Sequence, residues 1–163
     1  MDSSDQRSMD PSRGRYEVVV IGAGQAGLAL GYHLAREDRR FVIVDRGEAV
    51  ASAWRERWDS LTLFTSRRYD SLPGLRFPGE PDGYPSRDEV VAYLERYAAT
   101  FELPVERGSA RSLTRSNGGF AIELGDALIE ADQVVVATGP FQAPRVPAFA
   151  AGLDPEEIGR AHV

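Results

Sequence analysis

The stretch Val19–Gly27 reads VVIGAGQAG, and few folds accommodate it. The apolar run Tyr16–Ile21 (YEVVVI) has the pattern of a short strand buried on both faces. Three glycines follow, and then an alanine-rich segment from Ala26 to about Glu37 with helical spacing. Leu28, Tyr32, Leu34 and Ala35 are its candidate packing residues. Phe41–Val44 is a second buried strand, ending at Asp45. Strand, glycine turn, helix and strand in this order make one βαβ unit with an expected right-handed crossover.

Gly22-Ala23-Gly24-Gln25-Ala26-Gly27 satisfies G-x-G-x-x-G, with a strand before it and a helix after it. Gly22 permits the tight turn, Gly24 lets a pyrophosphate approach the backbone, and Gly27 allows close packing of helix and strand. The helix N-terminus would offer unpaired N–H groups and a positive dipole end to the phosphates. Asp45, eighteen residues beyond Gly27, is placed to accept hydrogen bonds from ribose hydroxyls. Its charge would repel a 2′-phosphate, so the expected ligand is FAD or NAD and not NADP.

The 163 residues are the size of one domain. A net charge of −6 argues against nucleic acid as a partner, and no apolar run approaches a membrane span. All nineteen basic residues are arginine, as a GC-rich genome would produce. The absence of cysteine leaves no disulfide framework, thiolate metal site or dithiol redox centre. A reducing, cytoplasmic setting is therefore expected. Residues 1–14 are polar, lack an apolar signal-type region and are expected to be a disordered lead-in. No His/Asp/Glu cluster has metal-ligand spacing, and neither His33 nor His162 has partners for a hydrolytic triad.

Downstream of Asp45 the periodicity breaks. A short helix is expected near Ala51–Arg57, then an ordered, irregular loop; Trp54 and Trp58 could form a packed aromatic pair, and Arg67-Arg68 reads as solvated. Arg87–Phe101 is the clearest helix, capped by Ser86 with Glu89 three residues on. Val90, Val91, Leu94, Tyr97, Ala98 and Phe101 supply its buried face. Pro104–Glu106 fits a short parallel strand. Ala110–Arg115, Phe120–Leu124 and Ala127–Glu130 fit an antiparallel meander with Asn117-Gly118-Gly119 and Gly125-Asp126 as its turns, and Asp132–Ala137 fits a separate buried strand. The predicted fold class is α/β: a truncated Rossmann-like half-domain with parallel sheet, helices and meander over residues 15–150, whose order of elements resembles the N-terminal FAD-binding part of two-dinucleotide flavoproteins.

The segments GAGQAGLALGYHL, WRERWDSLTLFTSRRYDSLPGLRFPG, YPSRDEVVAYLERYA and VVVATGPFQAPRVP together resemble bacterial members of the flavin-containing monooxygenase family (class B flavoprotein monooxygenases). The resemblance covers about residues 16–150. It implies that Gly22, Gly24, Gln25 and Gly27 line the FAD pyrophosphate, with Ala26 in the same turn. It implies that Asp45 and Arg46 face the adenosine ribose, that Trp54 lies near the flavin, and that Leu63 and Thr65 lie near the isoalloxazine. Ala137, Thr138 and Gly139 match the family's ATG motif. The chain departs from the family at Ala51-Ser52-Ala53, which lacks the usual glycine, at Phe64, close to an asparagine of animal members, and at Ser66, where proline is common.

The implied activity is NADPH-dependent oxygenation of a small organic substrate by O₂ through a C4a-(hydro)peroxyflavin. A flavin-dependent NAD(P)H reductase or dehydrogenase, or a non-catalytic dinucleotide-binding module, are the alternatives. No catalytic residue is assigned. The family's second glycine motif, for NADPH, does not occur in these residues. Residues 157–163, EIGRAHV, are what a widely used short-read sequencing adapter encodes. The expectation is therefore that 151–163 is a non-native or disordered tail, that the natural gene continues, and that this fragment alone does not turn over.

Overall fold

The computed structural model describes residues 15–116, 118–125, 127–139, 145 and 147–149. Expectations for the lead-in, the tail, and the turn residues Asn117 and Asp126 lie outside these. The elements are β1 (Tyr16–Ile21), α1 (Gln25–Arg36), β2 (Phe41–Asp45), α2 (Ser52–Arg55), α3 (Arg87–Thr100), β3 (Val105–Arg107), β4 (Ala110–Ser116), β5 (Gly119–Leu124) and β6 (Ala127–Val136). They build one six-stranded sheet in the order β3-β2-β1-β6-β5-β4. The first four strands in that order are parallel, and β6, β5 and β4 are antiparallel.

Alternation along the strands separates two cores. Val18 and Val20 of β1 and Phe41 and Ile43 of β2 face α1 and α3, where they meet Leu28, Leu94 and Tyr97. Val19, Val42 and Val44 face the other way and are covered by Ile122, Leu124 and Ala131 of the meander. The arrangement is three layers, helices on sheet on meander. Each buried Leu, Ile or Val contributes about 1.5–3 kcal/mol.

The meander and the last parallel strand were expected as separate strands, but β6 runs unbroken from Ala127 to Val136. No glycine or proline interrupts residues 128–136. Ala131 pairs with Phe120 on the antiparallel side and with Tyr16 on the parallel side, and is fully buried. Its methyl group is small enough to sit where the two half-sheets converge.

Helix α2 is shorter than expected, because Ala51 adopts a left-handed conformation (φ 64°) at its N-cap. The helix stops at Arg55, so Trp58 does not share a turn with Trp54: Trp54 packs on the helix-side core and Trp58 is exposed. In α1, Ala35 is exposed and Gly31 is buried instead. A Cβ on Gly31 would sit 2.7 Å from Ile43 Cδ1, so α1 approaches β2 closely at this point as well. Helix α3 begins with the expected capping box: Ser86 Oγ accepts from Glu89 N–H, and Glu89 Oε2 accepts from Ser86 N–H at 2.8 Å. Its buried face adds Tyr93 to the expected set, while Phe101 is only partly buried.

The loop between α2 and α3 is tied to α3 by side chains. Tyr93 Oη accepts from Leu72 N–H and donates to Leu75 O, both at 2.7 Å. Tyr97 Oη donates to Pro73 O at 2.6 Å. Burial pushes the Tyr97 phenol up to about 12, with the neighbouring Tyr93 and Tyr32 adding to the shift. Burial also raises Tyr93, against the opposing hydrogen bond from Leu72. Arg67 is not solvated: its side chain is 13 % exposed and pairs with Glu89 at 2.6 Å. Arg68 does reach solvent and pairs with Asp82.

Candidate functional site

The glycine turn lies at the carboxyl end of β1, with β2 on one side of that strand and β6 on the other. The chain leaves β1 toward β2 and returns later on the opposite side, and such a reversal opens a crevice at the strand ends. Gly22 N–H donates to Val44 O at 2.7 Å, and Ala137 N–H donates to Ile21 O at 2.8 Å. The turn, the end of β2 and the residues after β6 therefore converge on one edge.

The three glycines meet different demands. Gly22 has φ +116°, and a Cβ there would lie 2.5 Å from Ala137 O. A Cβ on Gly27 would lie 1.9 Å from Gly22 O. Both are required by the protein's own packing. A Cβ on Gly24 would meet nothing within 4 Å, and its backbone (φ −82°, ψ −174°) suits any residue. The fold itself does not need glycine at position 24. A ligand that must come close to the backbone there would.

The two long helices begin differently. α3 closes its N-terminus with the capping box and carries Asp88 and Glu89 in its first turn. α1 starts at Gly24 with no side-chain cap and no acidic residue in its first turn. Gln25 and Ala26 are exposed there. An uncapped helix start with outward N–H groups and no competing carboxylate suits an anion.

Asp45 sits at the rim. Its Oδ2 accepts from Ala23 N–H at 2.6 Å and its Oδ1 from Gly47 N–H at 2.8 Å. Two bonds leave lone pairs on a carboxylate, so ribose hydroxyls can still donate to it. The sequence pattern did not reveal the second duty of Asp45, latching the glycine turn to the end of β2. Arg46 beside it is exposed.

The other expected site residues divide into two groups. Ala137 and Thr138 lie against Gly22, and Gly139 follows with φ +74°. Trp54 and Leu63 pack partly on the helix-side core, and Thr65 is exposed on the outer loop. A long hydrogen bond from Ala51 N–H to Ala23 O, at 3.5 Å, ties the start of α2 to the glycine turn. Asp70, which bonds the Thr65 hydroxyl, has no sequence signal: five residues separate the two within an irregular loop. No cluster of His, Asp and Glu among the described residues could hold a metal.

Fold and site together define a Rossmann-like dinucleotide-binding domain of the flavoprotein type. Residues 19–156 match the family model described as pyridine nucleotide-disulphide oxidoreductase. The chain is 41 % identical over 148 residues to the uncharacterized oxidoreductase CzcO of Bacillus subtilis (strain 168), covering 90 % of this chain and 43 % of that protein. It is 38 % identical over 136 residues to the indole-3-pyruvate monooxygenase YUCCA1 of Oryza sativa subsp. japonica, covering 80 % of this chain and 34 % of that one. The solved flavin-containing monooxygenase from Stenotrophomonas maltophilia superimposes with a TM-score of 0.78 at 34 % identity, over 82 % of this chain and 41 % of that chain. The chain thus spans less than half the length of these relatives. It belongs to the pyridine nucleotide-disulphide oxidoreductase family, within its flavin-containing monooxygenase group.

Proposed function

We propose that residues 15–150 form the FAD-binding part of an NAD(P)H-dependent monooxygenase acting on a small organic substrate. The observation that carries this is the pairing of an uncapped α1 start with a Gly24 that no protein atom requires. The amides after Gly24 would hold the diphosphate, and Asp45 with Arg46 would meet the adenosine ribose. Trp54, Leu63, Thr65 and Ala137–Gly139 would border the flavin end. Bound FAD supplies two-electron chemistry between a nicotinamide and O₂. This chain's own contribution is to bind and orient that group.

Titration of the chain with FAD and with ADP tests the binding site. Saturable binding of FAD with competition by ADP is expected, and no affinity for either overturns the proposal. Oxygenation is tested on a longer protein that carries this segment. NADPH-dependent O₂ uptake that yields an oxygenated product is expected, and uptake that appears entirely as hydrogen peroxide would point to a flavin oxidase or reductase instead.

A further inference from the structure

Asp45 holds one peptide unit of the glycine turn. Ala23 N–H, whose nitrogen lies 2.6 Å from Asp45 Oδ2, shares a peptide with Gly22 O, and the two ends of a trans peptide point opposite ways. Gly22 O is turned toward Gly27, where a Cβ would lie 1.9 Å from it. Asp45 is fixed on its other sides. Its carbonyl accepts from Gly108 N–H at 2.7 Å and its Oδ1 from Gly47 N–H at 2.8 Å.

Gly22 has φ +116°, and glycine rotates readily, so the backbone on that side leaves the Gly22–Ala23 peptide able to turn over. A reversed peptide would set Gly22 O against the Asp45 carboxylate, acceptor against acceptor. It would also take Ala23, which is buried, away from the acceptor of its N–H. The carboxylate therefore selects one orientation of the turn. The same bond withholds Ala23 N–H from a ligand. Within α1 the first helical bond runs from Leu28 N–H to Gly24 O at 3.0 Å, so the amides of Gln25, Ala26 and Gly27 have no acceptor inside the helix.

We propose that Asp45 is a positioning residue for the diphosphate: by locking the Gly22–Ala23 peptide it directs the anion to the amides of Gln25, Ala26 and Gly27, independently of any contact with the ribose. This rests on the FAD-binding proposal above. The lock and the ribose contact differ in sign. A carboxylate that served only ribose hydroxyls would repel the nearby diphosphate, so its removal would leave a ligand lacking those hydroxyls bound equally or more tightly. Removal of a lock weakens that ligand, because the turn then spends part of its time in the wrong orientation.

The test titrates the unmodified chain, Asp45→Ala and Asp45→Asn with ADP and 2′,3′-dideoxy-ADP. Thermal melts control for folding, and backbone amide NMR follows Ala23, Gln25, Ala26 and Gly27. Asp45→Ala should bind dideoxy-ADP about tenfold more weakly, the factor that follows when the reversed peptide takes about nine-tenths of the population. Asp45→Asn keeps an acceptor oxygen for Ala23 N–H and sheds the charge, so it should bind dideoxy-ADP at least as tightly as the unmodified chain. In the unmodified chain, dideoxy-ADP should shift the amides of Gln25, Ala26 and Gly27 more than that of Ala23. A folded Asp45→Ala that binds dideoxy-ADP as well as the unmodified chain overturns the proposal, and so does an Asp45→Asn as weak as Asp45→Ala. An Ala23 amide that shifts most overturns it too, and that measurement decides if Asp45→Ala does not fold. Binding of ADP without any binding of dideoxy-ADP makes the ribose the anchor and overturns the lock alone. If the unmodified chain binds neither FAD nor ADP, the FAD-binding proposal fails and this one falls with it.

Discussion

Replacing Gly24 and Gly27 separately by alanine should divide stability from binding. A Cβ on Gly27 would lie 1.9 Å from Gly22 O, so two backbone segments must separate by more than an ångström. Overpacking of this kind costs about 1–3 kcal/mol, and rigid backbone on both sides puts Gly27→Ala at the upper end. Alanine returns about 1 kcal/mol through its better helix propensity. The net loss is about 2 kcal/mol, which lowers the melting temperature by about 4–8 °C in a domain of this size. Gly24→Ala meets open space in an ordinary backbone conformation, so its stability should change by less than about 0.5 kcal/mol. Its methyl group would nevertheless stand where a diphosphate must approach the amides, and affinity for ADP or FAD should fall about tenfold or more, a loss of at least about 1.4 kcal/mol. Urea denaturation and calorimetric titration read the two quantities. A Gly24→Ala protein that binds ADP like the unmodified chain, or that is as unstable as Gly27→Ala, would refute the assignment of position 24 to a ligand.

Ala51 is buried at φ 64°, so Ala51→Gly relieves about 1–2 kcal/mol of left-handed strain but gives up a buried methyl worth about 0.8 kcal/mol and adds about 0.4–1 kcal/mol of unfolded-chain freedom. Stability read by urea denaturation should shift by less than about 1 kcal/mol, against the larger loss an alanine-to-glycine change causes at an ordinary buried position. Tyr97→Phe leaves Pro73 O without its donor and should cost about 1–2 kcal/mol in the same assay; Tyr93→Phe, which loses two bonds, should cost at least as much. Glu89 is held below the ordinary carboxylate range by the Ser86 backbone N–H first and by Arg67 second. Its contribution is complete above the unfolded-state value and is lost as pH falls through the lowered folded-state value, so Glu89→Gln should flatten the acid limb of the stability profile below about pH 4.5.

Much of this architecture was legible because single periodicities dominate single segments. The continuous apolar runs of β1 and β2, the capping box of α3 and the glycine spacing each name their structure without tertiary help. The remainder depended on contacts between distant residues. The buried position of Tyr93 reflects a hydroxyl that serves Leu72 and Leu75, and hydrophobic periodicity cannot weigh that. The shortness of α2 follows from a left-handed alanine that propensity disfavours. In the candidate site, the turn and Asp45 could be read from spacing alone. The latch from Asp45 to Ala23 and the open space at Gly24 could not, because each depends on separate elements meeting, and the pairing of Thr65 with Asp70 could not, because the irregular loop that joins them has no periodicity to read.

The unbroken course of β6 makes its ten residues a ruler. One inserted or deleted residue within it would invert the facing of every side chain on one side of Ala131. Either the meander would lose its grip on Val19, Val42 and Val44, or Ala137 would slide away from Gly22. Length changes should therefore be tolerated only at hairpin tips such as Gly118 and Gly125, and an indel scan of this segment ought to show a sharp boundary at Ala127.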